Sequence, residues 1–259
     1  MKKYAVIGDP VAHSLSPKMY NAAFEFLGFD GLYLAEQVQS DDLSCFMKKL
    51  RTSEYAGISV TVPHKEAVMT FCDHLSDKAT KIGAVNCVYN KDGVVFGENT
   101  DWFGFVEALK EVESNLRGKK VLVLGAGGAA RAVVFALNQV GAKVFIWNRT
   151  LSKAQELAQE FELQIVDSVY DCDPEILVNT TSVGLNIEHE MLVDLEQFQN
   201  LEIVFDLIYK ETKLSLQAKS LNLKVVDAKR MLLLQAVQQF AIFTGLESPI
   251  EVMWNSINN

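Results

Sequence analysis

The chain has 259 residues, which is long for one hydrophobic core and short for two independent domains. Its content of 49% hydrophobic and 22% charged residues is typical of a globular protein and excludes wholesale disorder. Because 33 acidic residues outnumber 24 basic ones, the net charge of −9 argues against general binding to nucleic acid or to an acidic membrane surface.

In the first part of the chain, short β-rich segments alternate with helical patterns, which is typical of α/β architecture. The predicted strands are Tyr4–Ile7, Leu32–Ala35, Ile58–Val62, Ala84–Tyr89 and Val94–Gly97. Asp92-Gly93 lies between the last two strands and is a strong hairpin signal. We predict one helix that begins at Pro17 and a second helix that Ser40 caps.

A second α/β segment begins after a polar stretch at residues 113–120. Its predicted strands are Val121–Leu124, Val144–Asn148, Ile176–Asn179, Ile203–Asp206 and Lys224–Val226. A predicted helix, Ala129–Val140, follows the first of these strands. A last long helix, Met231–Thr244, is expected to pack back on the first segment. The pattern predicts two lobes with a cleft between them.

The distribution of cysteines and apolar residues predicts where the protein works. The four cysteines are scattered and form no CxxC pair, so we expect reduced thiols and no zinc site. The apolar run after Met1-Lys2-Lys3 is too short for a signal peptide. No stretch reaches the ~18 uninterrupted apolar residues of a membrane span. We therefore expect a cytoplasmic protein.

The sharpest local motif is the loop Gly125-Ala126-Gly127-Gly128-Ala129-Ala130. It fits the pattern GxGxxA and lies between an apolar strand and a helix, which is the context that a dinucleotide-binding fold requires. In such a loop Gly125 allows a tight turn, Gly127 lets a pyrophosphate approach the backbone, and Ala130 permits close packing of helix and strand. The helix N-terminus supplies amide donors to the anion. The alternative is a glycine-rich loop that serves only packing.

The end of the next predicted strand helps to distinguish NADP from NAD, because an NAD site usually places an acidic residue there. Here the strand ends at Asn148-Arg149-Thr150, and Lys153 lies one helical turn further on. A guanidinium in place of an acid suits a 2′-phosphate, which accepts charge-assisted hydrogen bonds. The sequence therefore favours NADP. The alternative is that Thr150 only caps a helix and Arg149 is a solvated surface residue.

Ser14 and Ser16 precede the first predicted helix, and in an extended segment their side chains would face the same way. Two hydroxyls beside a helix N-terminus could hold a carboxylate. Ser16 is also suited to be the N-cap of that helix, with Pro17 at the first helical position.

A second polar cluster lies in Ser59-Val60-Thr61-Val62-Pro63-His64-Lys65. Thr61 is expected to point away from the apolar side chains of the third strand. Lys65 falls at the start of a predicted helix, where the helix dipole disfavours the ammonium form and so favours proton exchange near neutrality. The default alternative is a surface lysine.

Three further polar residues are candidates for a site. Asn86 follows Gly83-Ala84-Val85, and Asp101 follows Asn99-Thr100; the first could satisfy a turn and the second could cap a helix. Gln235 interrupts the apolar stretch of the last long helix. A buried amide at this position needs a hydrogen-bond partner from protein or ligand, and the alternative is a surface position.

Taken together, these motifs resemble those of the shikimate dehydrogenase family over essentially the whole chain. The shared series is SLSP, VTVPHK, GAVN, NTD, GAGGAAR, NRT, DLIY and MLLLQ, in that order. The resemblance implies NADPH-dependent reduction of 3-dehydroshikimate to shikimate, an oxidoreductase step of chorismate and aromatic amino-acid biosynthesis. It also implies a two-lobed α/β fold. Residues 1–101 with 231–259 would form the substrate-binding and catalytic domain, and residues 102–230 would form a Rossmann-type NADP-binding domain.

The resemblance also assigns roles to individual residues. It implies that Lys65 is the general acid/base and is paired with Asp101, so that the two groups titrate together. The implied substrate-binding residues are Ser14, Ser16 and Tyr209 at the carboxylate, and Thr61, Lys65, Asn86, Asp101 and Gln235 around the ring hydroxyls. The implied cofactor-binding residues are Asp77, Gly125, Ala126, Gly127, Gly128, Ala129, Asn148, Arg149, Thr150, Lys153, Leu207 and Ala228. No metal is expected, because an ammonium group at the ketone oxygen suffices.

Three positions depart from the usual pattern of the family. Ser59 stands where the family commonly has Asn. Ala228 stands where a glycine commonly lets the backbone approach the nicotinamide, so it must have a negative φ unless the loop shifts. The segment Asn179–Gly184 lacks the usual proline. None of these departures removes a proposed catalytic group.

Two other functions remain open. A quinate/shikimate dehydrogenase with relaxed use of NAD and NADP would bind a substrate with one more hydroxyl on the carbon that bears the carboxylate, so the Ser14 and Ser16 pocket would decide. A non-catalytic sensor of shikimate-pathway ligands would be favoured by loss of Lys65 or Asp101, and both residues are present. We expect a small-molecule substrate as partner, no nucleic acid or membrane, and a monomer or homodimer.

Overall fold

The computed structural model describes residues 1–184 and 191–258. Over these ranges the strands are β1 (Lys2–Gly8), β2 (Gly31–Gln37), β3 (Gly57–Val60), β4 (His74–Leu75), β5 (Cys87–Lys91), β6 (Val94–Glu98), β7 (Lys120–Leu124), β8 (Lys143–Trp147), β9 (Gln164–Ile165), β10 (Ile176–Asn179), β11 (Ile203–Asp206) and β12 (Lys224–Val225). The α-helices are α1 (Ser16–Leu27), α2 (Leu43–Arg51), α3 (Asp77–Ile82), α4 (Asp101–Lys110), α5 (Gly128–Gln139), α6 (Leu151–Phe161), α7 (Lys213–Ser220), α8 (Ala228–Thr244) and α9 (Ile250–Asn258).

The chain divides into two compact units, and each contains one sheet. The first unit is Met1–Thr100 with Gln235–Asn259, and the second is Asp101–Leu234. The divisions therefore fall at 100/101 and 234/235, near the expected domain boundaries of 101/102 and 230/231. The later division lies inside the continuous helix α8.

The first unit has a mixed sheet in the order β2-β1-β3-β5-β6-β4. Strand β1 is parallel to both β2 and β3, whereas β5 is antiparallel to both β3 and β6. The predicted hairpin joins β5 to β6, and its two central residues, Asp92 and Gly93, have φ of 56° and 85°. Positive φ at both positions is what a two-residue hairpin turn of type I′ requires.

Successive residues of β1 serve two different faces of this sheet, because side chains alternate along a strand. Ala5 and Ile7 lie in an apolar cluster with residues of α2 such as Leu50. Tyr4, on the opposite face, stacks on Phe243 of α8 at a ring-centroid distance of 5.4 Å. Both faces of the sheet are therefore covered within the unit.

Helix α2 begins differently from the prediction that Ser40 caps it. A 3-10 turn, Ser40–Asp42, precedes the helix, and Asp42 is the N-cap without a side-chain hydrogen bond. The amide of Leu43 donates to the carbonyl of Ser40, so backbone rather than a side chain satisfies the first donor of the helix. The predicted capping role of Ser40 is wrong for this reason.

The second unit has an all-parallel sheet in the order β12-β11-β10-β7-β8-β9. This sheet is a six-stranded, doubly wound arrangement of the kind that binds dinucleotides. The order reverses between β7 and β10, and ligands of such sheets bind beyond the carboxyl ends of the strands at that point. The prediction of an α/β fold with a Rossmann-type unit is confirmed.

The central strands of the second unit have continuous apolar sequences because both faces of the sheet are buried. Val121 and Val123 of β7 pack in one core cluster, whose other members include residues of α4 and α5. Leu122 and Leu124 of the same strand pack in a second cluster, with residues of α7. Among the described residues, no helix is both long enough and apolar enough to cross a bilayer.

Candidate active site

The glycine-rich loop joins β7 to α5 at the point where the strand order of the second unit reverses. Gly125 has φ of 109°, and a Cβ on it would lie 2.4 Å from Thr180 Oγ1. A Cβ on Gly127, the N-cap of α5, would meet nothing within 4 Å. Gly125 is thus required by the fold itself, whereas Gly127 borders open space at a helix N-terminus. An anion can approach the backbone there.

The C-terminal end of β8 carries no acidic side chain. The strand ends at Trp147, and Asn148 donates from Nδ2 to the carbonyl of Thr150 over 2.8 Å. Thr150 is the N-cap of α6, but its side chain makes no capping hydrogen bond. Arg149 and Lys153 are exposed. The two cationic groups are therefore exposed to solvent next to the end of β8.

The ends of β10 and β11 are held by a buried cluster that the sequence analysis did not identify. Asn179 donates from Nδ2 to Asp206 Oδ1 over 3.0 Å, and the Thr212 hydroxyl donates to Asp206 Oδ2 over 2.6 Å. Asn179 Oδ1 accepts hydrogen bonds from both the amide and the hydroxyl of Thr181. These bonds shape the turn after β10 that the family commonly builds with proline.

Asp206 is the charged residue of this cluster, and burial raises the pKa of its carboxyl above the usual 3.8. Its hydrogen bonds act in the opposite direction and include one from the amide of Ile208. The same strand end places Leu207, whose amide donates to the carbonyl of Asn179, and Tyr209, which is partly buried. Burial raises the pKa of the Tyr209 hydroxyl, which keeps it protonated and able to donate.

Two further predicted site residues of the second unit begin helices. Ala228 is the first residue of α8, is buried, and is not among the residues with positive φ. The backbone at this position therefore does not require a glycine. Asp101 is the first residue of α4 and is also buried.

In the first unit, Ser14 and Ser16 do not lie in an extended segment, and that prediction is wrong. Leu15 between them has helical angles, φ −84° and ψ −8°, and is the N-cap of α1. Ser16 is consequently the first residue of the helix rather than its cap. The Ser14 hydroxyl accepts a hydrogen bond from the amide of Ser16 at 3.3 Å, so it satisfies one of the free donors of the helix N-terminus.

Lys65 lies in a turn before a 3-10 helix, Ala67–Phe71, and not at the start of an α-helix. The predicted influence of a helix dipole on Lys65 therefore has little basis, because a short 3-10 helix sums few peptide dipoles. The turn is anchored by His64, which is buried with Nε2 2.7 Å from the carbonyl of Val38. Thr61 is partly exposed beyond the end of β3, next to this turn.

The backbone brings the Lys65 turn beside Asn86. The amide of Val85 donates to the carbonyl of Lys65 over 2.7 Å, and the amide of Val60 donates to the carbonyl of Asn86. Asn86 and Gln235 are both buried, and Asn86 Nδ2 donates to Gln235 Oε1 over 3.3 Å. Two residues that the sequence analysis assigned to the ring hydroxyls are thus bonded to each other, although Gln235 is 149 positions from Asn86, and the backbone of a third, Lys65, is bonded to the residue before Asn86.

Asn86 is also bonded to Thr100, the residue before Asp101. The amide of Thr100 donates to Asn86 Oδ1 over 2.7 Å, and Asn86 Nδ2 donates to Thr100 Oγ1 over 3.1 Å. Asp77, by contrast, is exposed at the first position of α3, where Ser76 accepts a capping bond from the amide of Ala79. Among the described residues, no group of three His, Cys, Asp or Glu side chains is arranged to hold a metal ion.

Two known protein families match parts of this chain. Residues 6–88 match the family described as "Shikimate dehydrogenase substrate binding domain", and residues 107–207 match the one described as "Shikimate / quinate 5-dehydrogenase". The chain belongs to the shikimate dehydrogenase family. The resemblance inferred from the motif series is thereby confirmed.

Two members of the family are similar to this chain over nearly the full length of both chains. A protein of Aquifex aeolicus named "Shikimate dehydrogenase (NADP(+))" is 42% identical over 258 residues, which cover 99% of this chain and 96% of the relative. The crystal structure of shikimate dehydrogenase from Aquifex aeolicus is also 42% identical, has a TM-score of 0.96 and covers 100% of this chain and 98% of its own. The enzyme of Thermus thermophilus, solved in complex with NADP(H) and shikimate, is 40% identical with a TM-score of 0.91, covering 99% of this chain and 98% of its own.

Proposed function

We propose that the chain is an NADP-dependent shikimate dehydrogenase that interconverts 3-dehydroshikimate and shikimate in chorismate and aromatic amino-acid biosynthesis. The observation that carries the proposal is the combination of family membership along the chain with two intact polar sites, one in each unit. The loop at Gly125–Ala129 opens towards solvent at Gly127. The turn of Lys65 adjoins the buried amides of Asn86 and Gln235.

The residues present in the second unit fit a phosphorylated dinucleotide. The amides at the N-terminus of α5 and the open space beside Gly127 suit the pyrophosphate. Arg149, with Asn148, Thr150 and Lys153 around it, is proposed to bind the 2′-phosphate, since no acid occupies the end of β8. Leu207 and Ala228 are proposed to lie at the nicotinamide, and Asp77 is proposed to make a weaker contact with the cofactor.

When bound, the reduced cofactor supplies a hydride to the ketone carbon. We propose that the Lys65 ammonium group donates a proton to the ketone oxygen, which balances the reduction of 3-dehydroshikimate to the alcohol. Asp101 is proposed to orient Lys65 and to stabilise its charge, and Thr61, Asn86 and Gln235 to bind the ring hydroxyls. Ser14, Ser16 and Tyr209 are proposed to hold the carboxylate. In the reverse direction Lys65 accepts the proton of the alcohol.

The proposal is tested by mixing the purified protein with shikimate or quinate, each with NADP⁺ or NAD⁺, and measuring the absorbance of the reduced nicotinamide. A strong signal only with shikimate and NADP⁺ is expected. Turnover of quinate or use of NAD⁺ at a comparable rate would instead indicate the broader quinate/shikimate dehydrogenase. Silence in all four mixtures would contradict the proposed activity and favour a ligand sensor.

Replacing Gly127 with Ala should weaken cofactor binding without weakening the fold. The new methyl group has no protein neighbour, but it occupies the space where the pyrophosphate must approach. We expect the KM for NADP⁺ to rise about tenfold or more while the free energy of unfolding changes by less than about 0.5 kcal/mol. Gly125→Ala is the contrasting variant. An alanine at position 125 would be strained by the positive φ and would clash with Thr180, so the free energy of unfolding should fall by about 1–3 kcal/mol. Equal destabilisation by both would contradict the assignment of Gly127.

Replacing Arg149 with Ala should reduce the preference for NADP⁺ over NAD⁺. A charge-assisted hydrogen bond to a phosphate contributes about 1.5–3 kcal/mol, so the KM for NADP⁺ should rise about 10- to 100-fold while that for NAD⁺ hardly changes. Arg117→Ala is the matched control, because Arg117 is also exposed and lies in the same unit. An equal rise in the KM for both coenzymes would show that Arg149 does not recognise the 2′-phosphate.

We also propose that the enzyme works in the cytoplasm, which the four free cysteines support. Its ligands are proposed to be small molecules alone. The oligomeric state, monomer or homodimer, stays a prediction that light scattering on the purified protein would test.

A further inference from the structure

Gln239 is a fully buried amide on α8, one helical turn beyond Gln235. Its Nε2 faces three oxygen atoms: Gln235 Oε1 at 2.8 Å, Thr100 Oγ1 at 3.1 Å and the carbonyl of Asn86 at 3.2 Å. Every one of these three residues belongs to, or directly adjoins, the proposed site for the substrate ring. Gln239 itself was not among the predicted site residues.

The orientation of the Gln239 amide is determined by its partners. The carbonyl of Asn86 can only accept a hydrogen bond, so the NH₂ group of Gln239, and not its oxygen, must face it. On the other side, Gln239 Oε1 accepts a hydrogen bond from the Ser59 hydroxyl and shares the donor of the Tyr20 hydroxyl with the carbonyl of Ala236. A rotation of the amide by half a turn would place its oxygen against the carbonyl of Asn86 and disrupt this set of contacts.

The hydroxyls behind Gln239 are held as donors. Tyr33 donates to the Ser59 hydroxyl, which in turn donates to Gln239. Burial raises the pKa of both Tyr20 and Tyr33 well above the usual value of 10.0, so both stay protonated at any working pH. The rings of the two tyrosines stack with centroids 4.1 Å apart, which further restricts their motion. Each group in this series therefore donates to the next one, from Tyr33 to Ser59 and from Ser59 to Gln239.

This arrangement determines what Gln235 can offer to a ligand. Gln235 Oε1 accepts hydrogen bonds from Gln239 Nε2 and from Asn86 Nδ2, so its amide oxygen is directed into the protein. Its NH₂ group is then the part of the amide that can donate to a substrate hydroxyl. If Gln239 did not donate to it, the longer bond from Asn86 Nδ2, at 3.3 Å, would hold the Gln235 oxygen less firmly, and the amide could more easily rotate to present an acceptor.

We infer that Gln239 is a positioning residue for substrate recognition, which acts by fixing the donor face of Gln235. The inference rests on the proposed function, since it assigns to Gln235 and Asn86 the binding of ring hydroxyls. It also explains why serine suits position 59. The small side chain of Ser59 leaves room for the Gln239 amide, and its hydroxyl donates a hydrogen bond to that amide.

The test begins with Gln239→Met, which keeps the length of the side chain and removes every hydrogen bond. We expect the KM for shikimate to rise about tenfold or more, and the KM for NADP⁺ to change by less than about twofold. Gln217→Met in the second unit is the matched control, because Gln217 also uses both ends of its amide, accepting from the amide of Leu195 and donating to Asp194. The control should lose some stability and leave the KM for shikimate unchanged.

A double-mutant cycle with Gln235→Met separates positioning from general structural damage. If Gln239 acts through Gln235, the variant that carries both substitutions should lose little more shikimate affinity than Gln235→Met alone. Fold-losses that multiply, or a KM for shikimate that Gln239→Met leaves within about twofold of the wild type, would overturn the inference. Circular dichroism is used to check that each variant is folded.

If Gln239→Met does not fold, Ser59→Ala serves in its place. It removes one donor to Gln239 and the acceptor of the Tyr33 hydroxyl, so the KM for shikimate should rise about two- to fivefold and again show coupling to Gln235→Met. A KM equal to that of the wild type would overturn the inference. The assay of the wild type separates this inference from the proposed function. An inactive wild type contradicts the proposed function. An active wild type, together with a Gln239 variant whose KM for shikimate is unchanged, contradicts the positioning role alone.

Discussion

Replacing Lys65 with Ala should reduce the turnover of shikimate about 10²- to 10⁴-fold, the range that a positioned general acid or base contributes. The ketone oxygen would then receive its proton from water, which the protein does not position. Binding of NADP⁺ should be nearly unchanged, because the proposed cofactor residues at Gly125–Ala129 belong to the other unit. Steady-state kcat and a titration of NADP⁺ binding measure the two quantities separately.

Two further variants distinguish proton transfer from a merely electrostatic role of Lys65. Lys65→Arg keeps the positive charge, but the guanidinium does not release a proton, so we expect it to be nearly as inactive as Lys65→Ala. Substantial recovery of kcat in Lys65→Arg would show that charge alone is needed. Lys48→Ala, an exposed lysine on α2 of the same unit, should retain wild-type turnover. Near-normal turnover of Lys65→Ala would make the proton-carrier assignment wrong.

The second unit is the more predictable part of the fold, and the reason lies in its burial. A strand that is covered on both faces must be apolar throughout, so β7 and β10 are recognisable as short continuous runs between helical patterns. The loop from Gly125 is recognisable because its glycine spacing has a geometric cause, which the positive φ of Gly125 bears out. The two-residue strand β9 is too short for any pattern to indicate it.

The details of the first unit are less predictable because they depend on partners far along the chain. Local alternation predicts an extended segment for Ser14 and Ser16, but the helical angles of Leu15 place them at a helix start instead. Gln239 gives no local signal, since one polar residue on a long helix is usually solvated. Its partners Ser59 and Asn86 lie 180 and 153 positions away, and only the folded chain brings them together.

Replacing Asp206 with Ala should cause the largest loss of stability among the variants considered, about 2–4 kcal/mol. The buried carboxylate accepts hydrogen bonds from Asn179, Ile208 and Thr212, and alanine would leave these donors without their acceptor. Urea unfolding of both proteins measures the change in the free energy of unfolding. Asp167→Ala is the matched control, because Asp167 is exposed in the same unit and its loss should change that free energy by less than about 0.5 kcal/mol.

The conservative variant Asp206→Asn isolates the charge of this carboxyl from its hydrogen bonds. Burial raises the pKa of Asp206 in the folded protein above the 3.8 of the unfolded chain, so between these two values the folded protein binds more protons. The contribution of this group to the stability of the wild type is therefore greatest at low pH and falls as the pH rises through that window. The amide that replaces the carboxyl does not titrate, and all other groups cancel in the comparison. The free energy of unfolding of the wild type minus that of Asp206→Asn should accordingly decrease as the pH rises from about 4 to 7. A difference that increases with pH would mean that the hydrogen bonds of the carboxylate outweigh its desolvation.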